Sequence, residues 1–472
     1  MRKRLLSLCV VACMALAVMA EGKAKYVFYF IGDGMGVNQV NGTETYLADI
    51  EGRIGITPLC FAQFPYAGIV TTFSGTNGVT DSAAGGTALA TGDKTKNGAL
   101  GVGIDQTTRL NSIAARAKAE GKAVGIATSV SVDHATPAAF YAHVKDRGMY
   151  HQIGKDLIAA DFDFYAGSDF LKPDAEKEDD GKNLYTQCTE AGYIIARGYA
   201  DYRKKSSHAD KMLLLQTETA SRADRNSIPY AIDRRKNDLT LQDITRAAIH
   251  FLNKKNPDGF FLMVEGGKID WACHSNDAAT VFKEVIDMDN AVKVAYEFYQ
   301  QHPDETLIII TADHETGGIA LGTGHYELHT GVLKHQRQSA GAFSKMIAEQ
   351  HQKEGNKFTW EYVRRQLQDN FGFWTQIPLN EQETETLKKA YQSFCDGVAK
   401  DSKTLYASEN AIAAAARKMM ARKAMVGWQS GGHSNGYVPV FAIGAGAEAF
   451  TGRIDNTEIP HRIAVAAGYG NH

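Results

Sequence analysis

Five short runs of β-branched and aromatic residues, at positions 27–33, 124–129, 260–265, 307–313 and 438–444, constrain this chain's fold more than any other feature. They are continuously apolar rather than alternating, which suits strands buried on both faces of a parallel sheet. Helical patterns lie between them. Leu241, Ile244, Ala248, Ile249 and Leu252 form one apolar face behind Thr240 and Asp243, which read as a capping box. Residues 110–121 close on a glycine, as a helix does. The alternation predicts a three-layer α/β/α sandwich around a central, mostly parallel sheet. In such sheets ligands bind beyond the carboxyl ends of the strands. Asp33, Glu265 and Asp313 stand at three of those ends, so acids distant in sequence are predicted to converge on one crevice.

The chain has 472 residues, 44% of them hydrophobic, enough to bury a large core as one big domain or two smaller ones. A net charge of -3 and the absence of a long Lys/Arg stripe argue against a nucleic-acid surface. Arg2, Lys3 and Arg4 precede an apolar run over 5–19, and Val18-Met19-Ala20 offers a small-residue cleavage site. Residues 1–20 therefore read as a signal peptide, and the apolar run is too short for a comfortable membrane span. The mature chain is expected to lack a transmembrane span and to work outside the cytoplasm, in a periplasm or beyond. A lipid anchor at Cys13, within Val10-Val11-Ala12-Cys13, is the less favoured alternative. Cys60, Cys188, Cys273 and Cys395 remain in the mature chain; their wide spacing is no disulfide framework and leaves pairing open.

Residues 21–472 are expected to form one catalytic domain. Residues 172–182, charged and punctuated by Pro and Gly, read as a surface excursion. The stretch at about 325–428 carries amphipathic helical patterns at 336–354, 359–370, 381–395 and 408–422, and reads as a helical insertion between two strands. It contains none of the candidate site residues, so it is expected to serve substrate access or association.

The chemistry concentrates in a few segments. Residues 79–92 read Val-Thr-Asp-Ser-Ala-Ala-Gly-Gly-Thr-Ala-Leu-Ala-Thr-Gly, which places Ser82 where a helix of small residues opens. Backbone N–H groups there attract an anion, and small side chains let a phosphate approach the main chain. Taken alone, the segment reads equally well as a serine N-cap on a packing helix. Asp270 and His274 are spaced to share one helical face and one metal ion. Asp313-His314 is an adjacent pair at a strand end, and His433 lies in a Gly-rich turn before the last run. Any single histidine of the 15 is more often a surface or hydrogen-bonded residue than a ligand. Three at strand-associated turns, two with an aspartate nearby, point to metal. Two zinc ions a few Å apart clamp the attacking and leaving oxygens of an in-line displacement.

At this point the chain resembles the alkaline phosphatase family. The motifs that carry the resemblance are Ile-Gly-Asp-Gly-Met-Gly at 31–36, the Ser82 segment, residues 134–147, residues 264–274, Thr-Ala-Asp-His-Glu-Thr-Gly-Gly at 311–318, and the His433 turn. Excluded are the insertion and much of 150–230. The resemblance implies an exported phosphomonoesterase that hydrolyses phosphate monoesters through a phosphoserine at Ser82. It implies one Zn²⁺ held by Asp270, His274 and His433, and a second held by Asp33, Asp313 and His314 beside the Ser82 oxygen. One Mg²⁺ is implied at Asp33, Thr136 and Glu265, where hard oxygen ligands suit it. Arg147 is implied to clamp two phosphate oxygens, although without the motif it reads as an exposed helix arginine.

Two positions depart from other members. His134 stands where some carry Asp, and is expected to act through water or to favour zinc or cobalt in the third site. Trp271 stands where others carry Lys or His, so a water-mediated phosphate contact is expected to be missing; ordinary packing is its other reading. The family often forms dimers, and the insertion leaves a homodimer open. The rival readings are a sulfatase or phosphodiesterase of the same superfamily, or a catalytically silent phosphate- or metal-binding protein. The Cys/Ser-x-Pro-x-Arg setting of sulfatases is absent around Ser82, and every residue the reaction needs is present.

Overall fold

The computed structural model describes residues 24–470 apart from Ala399, so residues 1–20, expected to be a signal peptide, and Cys13 among them lie outside the described residues. Ten strands form the central sheet: β1 Tyr26–Ile31, β2 Tyr66–Thr71, β3 Ala123–Thr128, β4 Phe164–Gly167, β5 Tyr193–Arg197, β6 Lys211–Leu215, β7 Phe260–Glu265, β8 Thr306–Thr311, β9 Val438–Gly444 and β10 Gly452–Asp455. Their order across the sheet is β10-β2-β9-β8-β1-β7-β3-β4-β6-β5. The five runs singled out in the sequence are β1, β3, β7, β8 and β9, which are contiguous at the centre. The five strands that sequence patterning did not show lie outboard of them.

Strand β9 corrects one expectation. Its buried run suits a parallel strand, but it pairs antiparallel with both β8 and β2. Every other pairing in this sheet is parallel, so β9 is the single reversed strand. Burial on both faces follows from position in the middle of a covered sheet, whichever way the strand runs.

Strand β1 shows how the layers form. Successive side chains of a strand point to opposite faces. The Phe28 ring packs on Phe298 of helix Ala278–Gln301, with ring centres 5.6 Å apart. On the other face, Tyr29 donates its hydroxyl hydrogen to the Leu89 carbonyl of helix Ser82–Thr91 at 3.3 Å. One strand therefore meets a helix layer on each side, the arrangement of an α/β/α sandwich.

Local signals held with two trims. Thr240 caps helix Leu241–Lys255 by accepting from the Asp243 N–H at 2.9 Å, which is one half of a capping box rather than both. The helix within 110–121 is shorter, Ile113–Ala119, because Ser112 caps it at Ala115. Residues 172–182 are largely exposed, pinned by the buried Asp179 carboxylate, which accepts from His151 at 2.6 Å and Lys155 at 2.5 Å.

Helices Ala340–Glu354, Trp360–Phe371, Glu381–Cys395 and Ala411–Lys423 occupy the interruption before β9. They are tied firmly to the sandwich. The buried Asp277 carboxylate accepts from Gln336 at 2.9 Å and from the Ala340 N–H at 2.9 Å, and Asp233 accepts from the Ser339 hydroxyl at 2.6 Å. All four mature-chain cysteines are free, as a large core permits.

Candidate active site

The carboxyl ends of β1, β7 and β8 meet at one point. Glu265 is the last residue of β7, while Asp33 and Asp313 follow β1 and β8 by two residues. Asp270 joins them from helix Lys268–His274, and all four carboxylates are fully buried. Thr136 bridges two of them, with its hydroxyl 3.4 Å from Asp33 and 3.4 Å from Asp313.

Three imidazoles face this acid cluster, and their outer nitrogens fix their tautomers. His433 Nδ1 donates to the Thr80 carbonyl at 2.8 Å, and His274 Nδ1 donates to the Gly431 carbonyl at 2.6 Å. Thr316 gives its hydroxyl hydrogen to Asp270 at 2.6 Å, so it accepts from His314 Nδ1 at 3.2 Å. Each ring thus presents an unprotonated Nε2 to the interior. His433 reaches the site through a two-residue strand, His433–Ser434, paired with Glu315–Thr316 next to His314.

These inward atoms confront each other lone pair to lone pair. His433 Nε2 lies 3.2 Å from His274 Nε2 and 3.6 Å from Asp270, and His274 Nε2 lies 3.3 Å from Asp270. His314 Nε2 lies 3.3 Å from Asp33, 3.4 Å from Asp313 and 3.3 Å from the Ser82 hydroxyl oxygen. Acceptors held so close need a cation between them. A tetrahedral ion about 2.0–2.1 Å from nitrogen and oxygen ligands spaces them at roughly 3.3 Å. The donor set therefore fits metal. Among the described residues, Asp270 with His314 and His433, Asp33 with Asp313 and His314, and Asp33 with His134 and Glu265 each bring ligand atoms within 4.8 Å of one another.

Electrostatics agree. Burial, then the neighbouring carboxylates, push Asp33 and Asp313 well above the usual carboxylate range. Burial also raises Glu265. Asp270 alone is lowered: burial opposes its charge, but His274, His433 and His314, when they carry a proton in place of a metal ion, outweigh it. Burial, with Arg147 adding to it, drives His134 down to about 3, so its ring is neutral. Four buried acids repel one another unless positive charge is supplied. Asp33 Oδ1 and Glu265 Oε1 are buried with no hydrogen-bond partner, consistent with ligand atoms.

Ser82 is not the helix cap. Asp81 caps, its carboxylate accepting from the Ala84 N–H at 3.0 Å, and Ser82 is the first helical residue, almost fully buried. That frees the Ser82 hydroxyl to face the candidate metal ligands, 3.3 Å from His314 Nε2, and puts it at the positive end of the helix. Arg147 lies in a turn rather than on an exposed helix; its guanidinium is 3.1 Å from Asp81 and 3.3 Å from His134 Nε2. His134, expected to act through water, sits directly among Asp33 and Glu265. The acid cluster, the three candidate ligand groups, Ser82 and Arg147 are thus one site.

The sequence pattern that defines the alkaline phosphatase family matches residues 24–469. The chain belongs to that family. As a member it is a phosphoric monoester hydrolase. It is 31% identical to alkaline phosphatase 3 of Bacillus subtilis, over 99% of this chain and 97% of that protein. It is 29% identical to the repressible alkaline phosphatase of Saccharomyces cerevisiae, over 90% of this chain and 76% of that one. Among solved structures, the cold-active alkaline phosphatase of a psychrophilic Shewanella superposes with a TM-score of 0.78 at 29% identity, covering 94% of this chain and 99% of that one. A mutant TAB5 alkaline phosphatase, histidine to aspartate, with Mg bound in its M3 site, superposes with a TM-score of 0.65 at 26% identity over 95% and 99% of the two chains.

One residue of this alkaline phosphatase site was invisible in the sequence. Tyr406, from the turn between the short strands Ser402–Lys403 and Ser408–Glu409 of the insertion, stacks on Trp271 with ring centres 4.2 Å apart and planes within 9°. Its ring is also 5.5 Å from His274 and 6.2 Å from His134. Lys268 lies over the Trp271 ring at 4.7 Å. Trp271 is therefore both packed and part of the site wall. The insertion, expected to stay clear of the chemistry, reaches it through Tyr406. No motif marks that tyrosine; only the packing does.

Proposed function

We propose that this phosphomonoesterase works by attack of the Ser82 hydroxyl oxygen on a phosphate monoester. The oxygen–phosphorus bond forms as the bond to the alcohol breaks, and water then cleaves the phosphoserine to inorganic phosphate. The observation that carries this reading is the Ser82 oxygen 3.3 Å from an inward-facing His314 Nε2, at a helix N-terminus among buried acids.

Two Zn²⁺ and one Mg²⁺ complete the site in this reading. Asp270, His274 and His433 hold one zinc, and Asp33, Asp313 and His314 hold the other. Asp33, Glu265 and Thr136 hold magnesium, with His134 as a fourth group beside them. When bound, the metals neutralise the acids, favour the deprotonated Ser82 oxygen and stabilise the charge on the departing alcohol. The chain's own groups set the geometry. Asp81 positions Arg147, whose fork takes two phosphate oxygens. Thr316 holds Asp270 and His314 together, and the backbone carbonyls of Thr80 and Gly431 hold His433 and His274 in their ligand tautomers. The neutral His134 lends the third position less negative charge than an aspartate, so His134→Asp is expected to raise its affinity for Mg²⁺.

Export completes the reading. The basic start at Arg2 to Arg4, the apolar run to Met19 and the small-residue site at Ala20 support removal of residues 1–20 on secretion, with residues 21–472 as the catalytic domain. Among the described residues, no helix is long and apolar enough to cross a membrane.

Acid-quenching the enzyme with a radiolabelled phosphate ester tests the mechanism. Label is expected on Ser82, and Ser82→Ala is expected to lose label and nearly all turnover. Label on another residue overturns the assignment.

A further inference from the structure

Beside the metal site lies a cleft of about 700 Å³ that the hydrolysis of phosphate does not need. Its walls come from two parts of the chain. The sandwich contributes His274, Asn276 and Thr323, and the insertion contributes the strand at Lys403 and the face of helix Ala411–Lys423 that bears Lys418 and Arg422. His274 lines the cleft and also stands 3.3 Å from Asp270 and 3.2 Å from His433, so the cleft borders the group proposed to hold one of the zinc ions.

The lining is one-sided in charge. It holds Lys403, Arg417, Lys418 and Arg422 and no carboxylate. Arg417 is matched by the buried Glu409 at 3.0 Å. Glu383, whose carboxyl feels the Arg422 charge, is taken by Lys423 at 2.8 Å, and Glu409, which feels Lys418, is the one already held by Arg417. Lys403, Lys418 and Arg422 are exposed and make no ion pair among the described residues. Because Glu409 and Glu383 are each held by another cation, the concave wall beside the phosphate site keeps a net positive charge, which focuses attraction on an anion. The volume is that of a small-ligand pocket, enough for a phosphorylated sugar.

We propose that this cleft is a leaving-group subsite, selecting phosphate monoesters whose alcohol carries a second phosphate. The proposal rests on the phosphomonoesterase reading and names its substrate class. The phosphate to be cleaved sits at Ser82 and Arg147. The alcohol leaves past His274 into the cleft, where Lys403, Lys418 and Arg422 meet its remaining phosphate. Because the insertion supplies these cations, it serves selection at the site it borders.

Two measurements on the metal-loaded enzyme test this. The first compares kcat/KM for fructose 1,6-bisphosphate and fructose 6-phosphate, substrates that differ by one phosphate. The native enzyme is expected to prefer the bisphosphate by about tenfold at low salt, falling as ionic strength rises. The triple variant Lys403→Ala, Lys418→Ala, Arg422→Ala is expected to bring that ratio near twofold. The second uses Ser82→Ala, which binds without turning over, and follows lysine acetylation by mass spectrometry. The bisphosphate is expected to protect Lys403 and Lys418, and fructose 6-phosphate to leave them reactive. A ratio unchanged in the triple variant, or no protection by the bisphosphate, overturns the subsite. Failure of the native enzyme to hydrolyse any phosphate ester overturns the phosphomonoesterase reading instead, and the protection measurement still decides the cleft.

Discussion

Asp81 and Arg147 are joined by a 3.1 Å ion pair whose carboxylate also caps the helix that begins at Ser82. One side chain thereby sets both the helix of Ser82, the proposed nucleophile, and the guanidinium of Arg147, the proposed phosphate clamp. Burial works against the Arg147 charge, but Asp81 and Asp33 nearby hold its pKa up. Removing the carboxylate is expected to act on both functions. Asp81→Ala should destabilise the fold by about 1 kcal/mol through the lost cap and raise KM roughly 3–10-fold as the guanidinium loses its orientation. Asp81→Asn should keep the cap and raise KM less. Steady-state kinetics and thermal melts check this, and an unchanged KM in Asp81→Ala would refute the positioning role.

Metal content should follow the tautomer network. Chelation is expected to abolish activity and zinc to restore it. His433→Ala should lower the zinc count by elemental analysis from two to one. Thr316→Val, which removes the bridge between Asp270 and His314, should weaken zinc binding by roughly 10–100-fold in chelator competition. Undiminished turnover in metal-free enzyme would contradict the whole site.

The Tyr406–Trp271 stack should matter through its ring and not its hydroxyl. Aromatic pairs of this kind contribute about 0.5–1.5 kcal/mol beyond their burial. Tyr406→Phe is therefore expected to behave as native, while Tyr406→Ala should raise KM several-fold and red-shift the emission of Trp271. Equal behaviour of the two variants would show that the stack does not shape the site.

Asp133, fully buried, is pushed up to about 7, chiefly by burial. Its Oδ2 accepts from the Leu171 N–H at 2.9 Å, and Ser131 and its own backbone N–H lie close enough to favour the charge without offsetting burial. The sign follows. The folded protein holds this proton more tightly than the unfolded chain, so the group's stabilising effect is present below about pH 4. It is lost as pH rises towards 7. The full shift corresponds to at most about 4 kcal/mol. Asp133→Asn keeps an acceptor for Leu171 and carries no charge, so its stability should fall less between pH 4 and 7 than the native protein's. Denaturant midpoints across that range check it; parallel curves would rule it out.

Much of this protein was legible in its sequence because the governing signals are local. The buried central strands announce themselves as β1, β3, β7, β8 and β9, since a strand covered on both faces tolerates only apolar residues. The outer strands do not. Strand β2 carries Gly68, and β10 reads Gly-Arg-Ile-Asp, because partial exposure lets polar residues in; β4 and β6 are largely buried, but Phe-Tyr-Ala-Gly and Lys-Met-Leu-Leu-Leu are too short to tell from a buried helix segment. The direction of β9 was equally hidden, as burial is blind to polarity.

The site divides the same way. Ser82, Arg147, the four acids and the three histidines stand in motifs whose residue types the proposed chemistry requires, so the sequence alone determined these members of the candidate site, though not Tyr406. Which atom faces which was decided only by the tertiary structure. The tautomers of His274 and His433 depend on carbonyls contributed by distant turns, at Gly431 and Thr80. Capping by Asp81 rather than Ser82 is a matter of backbone angle. The approach of Tyr406, and the gathering of Lys403, Lys418 and Arg422 beside His274, depend on how the insertion docks through Asp277 and Asp233. Composition and spacing fix the chemistry available to a segment; contacts between segments far apart in the chain depend on packing, which no local pattern records.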